Sequence, residues 1–461
     1  MDDQAKRLHD HGNEEFKRSN FLAARDAYTS LLSHICSPGI RPDLGYLGTI
    51  LSNRAAVYLK LGLPELAWSD AAYSLHLDAA NIKAAYRLSM CYYEMGFPKL
   101  AKALLGTHLA QGKSNNSSTA ELDTMAVLMK LCSNSGATLP QDILAQATAA
   151  GVDPSESVLS ISYRDYLWEN KKKNKLSLRM IRQELFGDCE AVCLQQLDSV
   201  GRGLVAKRNM RVGEVVFEAK PALTAFGKGF QCHCCLGDYR ALAGVGPVFS
   251  CPRCKECFCS LACYREAVDN WHGVLCGKSL RELTALNDSF PIYARSSMML
   301  LKCFAMAKQK NISPLELPQI RYLKRIKESA ICGLLDNDLS PVSFHIPSRF
   351  ADAYRLAMEI LGIKFDARFD WWVWLTVHRV LVLNVIPYEN EYKWLVAGFS
   401  LVNHSARANV AFEEVPVIPR RIRLVVKRAV QKGEELCAAY VSYSSEEERV
   451  KALLRYGIVQ Q

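Results

Sequence analysis

Between Cys232 and Cys276 the sequence concentrates nine of its seventeen cysteines. With one histidine, eight residues of this block fall into close pairs: Cys232-x2-Cys235, Cys251-x2-Cys254, Cys259-x3-Cys263 and His272-x3-Cys276. Thiolate and imidazole donors so spaced complete two tetrahedral zinc sites with no open position, the form that structural zinc takes. Cys234 and Cys257 are left over as free thiols. A block of about 45 residues could hardly fold on a hydrophobic core of its own, so bound metal would supply its stability.

The whole chain, 461 residues, is long enough for two or three domains that each bury a core. Its 49% hydrophobic and 23% charged residues are an ordinary globular composition. The opening MDDQAKRLHD lacks the basic and apolar blocks of a secretory signal, and no apolar run approaches the roughly 18 to 20 residues of a membrane helix. The expectation is a soluble protein of the cytoplasm, the nucleus or both. In such a reducing compartment crowded cysteines argue for metal rather than disulfides. A net charge of +10 gives a mild attraction to acidic partners, but it is spread thinly and does not point to direct nucleic-acid binding. The densest basic run, KKKNK at 171–175, reads either as a nuclear import signal or as a solvated linker or helix face.

From Arg7 to Leu105 alanine, leucine and tyrosine recur at helical spacing. Aligning Ala24, Ala67 and Ala101 exposes intervals of 43 and 34 residues, the first stretched by an insert around SPGIRPDL. The same small-and-aromatic pairs return in each copy: Gly12 and Tyr28, Ala55 and Tyr58, Ser89 and Tyr92. GNEEFKRSNFLAARDAY, NRAAVYLKLGLPELAWSDA and KAAYRLSMCYYEMGFPKLA resemble tetratricopeptide repeats, helix pairs that stack into a concave groove. In relatives of this kind that bind the C-terminal carboxylate of heat-shock chaperones, basic and amide side chains converge as a clamp. The resemblance places that clamp on His9, Asn13, Asn53, Lys83 and Arg87, with His9 where a lysine is usual. Lys83 and Arg87 lie one helical turn apart, as a carboxylate requires, whereas Asn13 and Asn53 serve equally in packing ordinary repeats. After Leu105 the pattern fades into QGKSNNSS, a linker composition.

On both sides of the cysteine block the texture changes to strands. SVGRGLVAKRNMRVGEVVFEAKPALTAF precedes it, with a Gly-Arg-Gly turn; ANVAFEEVP and RIRLVVKRAVQKGEELCAAYVSYS follow far downstream. Between lie helical residues, LNDSFPIYARSSMMLLKCFAMAK most clearly. CFCSLACYREAVDNWHGVLC resembles the MYND zinc finger, whose pairs interleave: Cys232, Cys235, Cys259 and Cys263 would hold one ion, and Cys251, Cys254, His272 and Cys276 the other. MYND fingers are chiefly binding modules, often for proline-rich peptides. GRGL, then NHS with its following Asn, then GEEL leading to a Tyr, with the finger inserted after the first, resemble in order the SET and MYND domain lysine methyltransferases, in their tetratricopeptide-bearing branch.

That resemblance implies S-adenosylmethionine as cofactor and a protein lysine as substrate. Methyl transfer to an amine is an in-line displacement that needs a neutral amine, a cradled sulfonium and little else. The Gly201-Arg202-Gly203 backbone would approach the cofactor, with Asn384, Asn403 and His404 as further contacts and Tyr440 as the active-site tyrosine. The family pattern Asn-His-Ser-Cys-x-Pro-Asn is altered here: Ala406 stands for the Cys and Ala408 for the Pro. That cysteine and three more after the tyrosine hold a third zinc in the family, and no cysteine follows Cys437, so the expectation is a protein that does without it.

The predicted fold class is α+β multidomain: helical tetratricopeptide repeats, then a β-rich SET domain interrupted by a MYND finger and a helical insert. The boundaries are repeats 1–112, connecting helices 113–185, first SET part 186–231, finger 232–276, helical insert 277–380 and second SET part 381–461. The leading function is a methyltransferase whose repeats recruit a chaperone or other partner; the alternative is a catalytically weak adaptor that binds proteins through repeats and finger.

Overall fold

The computed structural model describes residues 3–36, 43–94, 98–114, 118–134, 190–197, 201–226, 229–239, 249–289, 296–323, 348–363, 366–388, 391–396, 398–415 and 421–440. The basic run at 171–175 and most of the connecting stretch lie outside these residues. The chain divides into two compact units, one from residues 1–162 and 327–375, the other from 163–326 and 376–461. No helix among the described residues is long and apolar enough to cross a membrane.

The first unit is a row of paired helices. α1 (Asp3–Lys17) packs on α2 (Phe21–Ile35), α3 (Leu44–Lys60) on α4 (Pro64–Leu77), α5 (Ile82–Glu94) on α6 (Pro98–Ser114), and α7 (Thr119–Asn134) lies against α6. Asp43 caps α3 by accepting the Tyr46 N–H, and a proline opens both α4 and α6, where a missing N–H is harmless. The three aligned alanines, Ala24, Ala67 and Ala101, are fully buried. A Cβ on Gly12 would lie 2.7 Å from Cε1 of Tyr28, so the small residue exists to admit the ring. The stretch read as a linker is partly helical, because α6 runs on to Ser114 and α7 begins at Thr119.

A segment from far along the chain completes this unit. Helix Ser348–Leu361 packs on α4, and Tyr73 of α4 meets the rings of Tyr354 and Trp371 at 6.0 and 5.2 Å. At the centre sits Arg54 of α3, 1% exposed, which donates to Asp70 at 2.7 and 2.9 Å and to Asp370 at 2.9 Å. Asp370 also accepts the N–H of Trp371 at the start of helix Trp371–Asn384. Burial pushes the Asp70 carboxyl up to about 6, against the pull of Arg54. The region expected as one helical insert, 277–380, therefore divides: its later part, up to Leu375, belongs with the repeats, and its earlier part with the β-rich unit.

The second unit is a set of small sheets around one core. β1 (Val192–Leu197) and β2 (Gly201–Ala206) form an antiparallel pair, so Gly-Arg-Gly begins a strand instead of making a turn. β3 (Val215–Ala219) pairs with β11 (Arg421–Val426), which pairs in turn with β10 (Val410–Val415). β4 (Leu223–Thr224) joins the hairpin of β7 (Val385–Tyr388) and β8 (Glu391–Leu395). Two turns repeat each other. In RVGE and QKGE, Gly213 and Gly433 take φ of +83° and +87°, and Glu214 and Glu434 each accept the N–H three residues back. Met210 and Val430, beside these turns, bridge directly, which brings the two distant β segments into one core with Leu204, Leu424 and Leu436.

Replacing Arg54 by Ala would leave Asp70 and Asp370 buried without their cation. The expected loss is about 3–5 kcal/mol, read as an earlier transition of the helical unit in urea denaturation followed by circular dichroism; an unmoved midpoint would mean that water reaches the pair.

Candidate active site and metal centres

The cysteine block folds into two knuckles of one geometry. In Cys232-x2-Cys235 and Cys251-x2-Cys254 the next residue, Leu236 or Lys255, takes a positive φ, 60° or 65°, which non-glycine residues seldom adopt. In each knuckle the N–H of that residue bonds the carbonyl of the first cysteine, at 2.9 and 3.0 Å. β5 (Phe249–Ser250) and β6 (Cys257–Phe258) then form a short pair, and a helix, Leu261–Ala267, starts on a Ser260 cap beside Cys259 and Cys263. That helix passes into a wider π turn, Val268–His272, that ends on His272.

The result is two quartets, Cys232, Cys235, Cys259 and Cys263, and Cys251, Cys254, His272 and Cys276, each with donor atoms within 4.8 Å of one another. This is the interleaved pairing that the resemblance implied. Separations of 3.7 Å for Cys235–Cys259, 3.5 Å for Cys259–Cys263 and 3.8 Å for Cys251–Cys276 match the edge of a tetrahedron about zinc, about 3.8 Å for Zn–S bonds of about 2.3 Å. His272 turns Nε2 toward Cys254 at 3.6 Å and has Nδ1 3.2 Å from the Glu256 carboxylate, an orientation in which Nε2 would serve as the metal donor. N–H groups of Cys234 and Gly237 point at the sulfurs of Cys232 and Cys235. The donor set thus fits zinc. Cys234 and Cys257 stand outside both quartets.

The loop of residues 403–409 is held by strands from both ends of the second unit. β9 (Asn403–His404) runs parallel to β12 (Cys437–Ala438), and past it Ser405 N–H and Asn409 N–H bond the carbonyls of Ala438 and Cys437. Asn409, 2% exposed, accepts the Cys437 N–H at 2.8 Å and donates to the Glu435 carbonyl at 2.8 Å. Asn403 Nδ2 donates to the Arg202 carbonyl at 2.9 Å and to Glu435 Oε1 at 2.7 Å. A Cβ on Gly203 would lie 2.5 Å from Leu197 Cδ1, 2.6 Å from Glu435 Oε1 and 2.9 Å from Asn403 Nδ2. The glycine is thus demanded by this clasp itself. Arg202, 7% exposed, directs its guanidinium to the Tyr322 carbonyl.

Tyr440 closes the group. Its N–H donates to His404 Nδ1 at 3.2 Å, its ring lies 5.3 Å from the His404 ring, and its hydroxyl donates to the Val402 carbonyl at 2.7 Å. Asn384 ends its helix with Nδ2 on the Val380 carbonyl, and its own carbonyl accepts from Ser400, near the start of the loop. The structure therefore joins Arg202, Gly203, Asn403, His404 and Tyr440 in one bonded group, with Asn384 next to it. Glu435 and Asn409 are the members whose bonds the sequence reading did not anticipate; a carboxylate and a buried amide in motifs already singled out were the available signals. Burial pushes the Cys437 thiol up to about 12, and Ala406 is exposed.

The five clamp positions are only partly gathered. Asn53 approaches His9 Nε2 at 3.5 Å and accepts from Arg87 at 3.3 Å, while Arg87 also donates to Ser52 at 2.6 Å. Lys83 lies 3.4 Å from Glu121 of α7, and Asn13 accepts the Tyr28 hydroxyl at 2.7 Å, the packing use of an asparagine.

The chain belongs to the SET-domain family: the model of that domain matches residues 201–441, more than half of its length. Over 93 residues it is 31% identical to protein unc-45 homolog B of Mus musculus, a match covering 20% of this chain and 9% of that protein. Among solved structures, the Sgt2 TPR domain from Aspergillus fumigatus aligns with 35% of this chain and 91% of its own, at 24% identity and TM-score 0.24. The SET domain of LSMT bound to lysine and AdoHcy aligns with 63% of this chain and 58% of its own, at 14% identity and TM-score 0.33. The helix pairs of the first unit and the matched domain make the architecture a helical repeat region followed by a SET domain, in a mixed α+β chain.

The purified protein is expected to carry two zinc ions per chain by atomic absorption. Cys259→Ala and Cys276→Ala should each remove about one; retention of both ions by either variant would contradict the quartets.

Proposed function

We propose that this protein is an S-adenosylmethionine-dependent protein-lysine N-methyltransferase whose repeats bring it to a partner protein. The single observation that carries the reading is the clasp of Arg202, Gly203, Asn403, His404, Glu435 and Tyr440 inside a SET domain. The Asn403 amide nitrogen is fully engaged by Arg202 and Glu435, which leaves its carbonyl oxygen beside a carboxylate, an arrangement that favours a positively charged ligand. A sulfonium compound with an amino group has that chemistry. When bound, S-adenosylmethionine supplies an electrophilic methyl group.

The protein's own residues then have three tasks. The clasp positions the ligand on rigid backbone. Tyr440 offers a hydroxyl oxygen whose O–H is already donated to the Val402 carbonyl, so toward an incoming amine it acts as an acceptor. A lysine side chain, largely protonated near neutral pH, would have to give its proton to solvent and reach this oxygen as the free amine, where it would take the methyl group that the bound cofactor supplies and remain as a methylated ammonium. The finger, read as a MYND module with two structural zinc ions, would bind proline-rich peptides, and the clamp of His9, Asn53, Lys83 and Arg87 the C-terminal carboxylate of a chaperone tail. The place of action is the cytoplasm, the nucleus or both.

A second reading, an adaptor that binds partners without efficient chemistry, is favoured by Ala406 and Ala408 in the loop that otherwise matches the family. Calorimetric titration with S-adenosylmethionine separates the two. Saturable binding that is lost in an Asn403→Ala, His404→Ala variant supports the enzyme, and no binding by the zinc-replete protein favours the adaptor. Tyr440→Phe should keep cofactor affinity and lower methylation by about 100-fold or more; an unchanged rate would remove Tyr440 from the mechanism.

A further inference from the structure

The groove of the helical unit contains a charge that carboxylate capture does not use. A cavity of about 570 Å³ opens there, with apolar walls from Phe16, Ala56, Leu59, Ile82, Tyr86 and Met90. Lys83, Arg87, Lys60, Glu121 and Glu94 add charge to the same lining. Glu94 ends α5, is 7% exposed, and among the described residues its Oε2 meets no hydrogen-bond donor. Burial pushes its carboxyl up to about 7, only partly countered by Lys60 of α3. Glu121 of α7 is already paired with Lys83, so the two acids differ in what they lack.

We propose that this groove takes a peptide C-terminus carrying a lysine or arginine about three residues before its terminal carboxylate, with that cation placed on Glu94. The proposal rests on the reading of His9, Asn53, Lys83 and Arg87 as a carboxylate site. Arg87 and Glu94 are two helical turns apart on one face of α5, about 10 Å along the axis. An extended peptide covers that span in about three residues. Met90 of the same lining falls between Arg87 and Glu94 along α5, where the methylene stem of a basic side chain can pack. A buried carboxylate oxygen without a donor is unfavourable, and an ammonium or guanidinium from the ligand relieves it with a charge-assisted bond. An acidic residue at the same place would instead face Glu94 at close range in a partly dry groove, which selects against it.

The test uses the full-length, zinc-replete protein and fluorescent peptides with a free C-terminus and Lys, Ala or Glu at the fourth position from the end, together with the C-terminal amide of the Lys peptide. Fluorescence anisotropy should show the Lys peptide binding about tenfold tighter than the Glu peptide, and Glu94→Gln should level the series while keeping acid over amide. Equal or tighter binding of the Glu peptide by the unmodified protein, with acid still preferred over amide, overturns the proposal alone. Loss of the distinction between acid and amide removes the carboxylate site, and the proposal with it. Because the peptide series is read first on the unmodified chain, a folding defect in Glu94→Gln would not obscure the outcome.

Discussion

One side-chain amide, that of Asn403, ties together three stretches of chain that are far apart in sequence. Its nitrogen spans the carbonyl of Arg202 and the carboxylate of Glu435, and neither bond could form if position 203 carried a side chain. Asn409, buried behind it, does the same for the strand that leads to Tyr440. The two asparagines thus give the loop a defined shape through hydrogen bonds to backbone carbonyls, a backbone N–H and one carboxylate. This offers a physical account of how Ala406 can stand in the loop while Asn403, His404 and Tyr440 keep their geometry.

The metal quartets were legible in the sequence because zinc imposes its own spacing: ligand pairs two or three residues apart arise from tight turns, whatever the surrounding fold. The helix pairs were legible for a similar reason, since Ala24, Ala67 and Ala101 recur where helices touch. What could not be read was contact between remote segments. Arg54 and Asp370 are each an unremarkable charged residue in its own neighbourhood, and no local pattern announces that they will meet in a dry core. The Gly-Arg-Gly stretch reads as a turn because glycine signals turns on average, whereas here it begins a strand in which the missing Cβ of Gly203 makes room for Glu435 and Asn403.

The two units use buried charge differently. In the helical unit Arg54 is fully compensated by Asp70 and Asp370, so the triad adds specificity of arrangement more than stability. In the cysteine block the crowded groups are thiols. Four sulfurs crowd around one point in one quartet, and three with an imidazole in the other, an arrangement that carries its full stability only with a dication at the centre.

The placement of Asp370 also bears on how the chain is made. A ribosome that has produced α1 to α7 has exposed Arg54 and Asp70 but is still far from the residue that completes their network. At about 5 to 20 residues per second, the stretch from Asn134 to Asp370 takes on the order of 10 to 50 s to emerge. During that interval the helical repeats exist without their last partner, with α4 lacking the aromatic cover of Tyr354 and Trp371. A nascent chain of this design passes through a period with one face of α4 uncovered, and transiently exposed apolar surface of that kind is what chaperones shield.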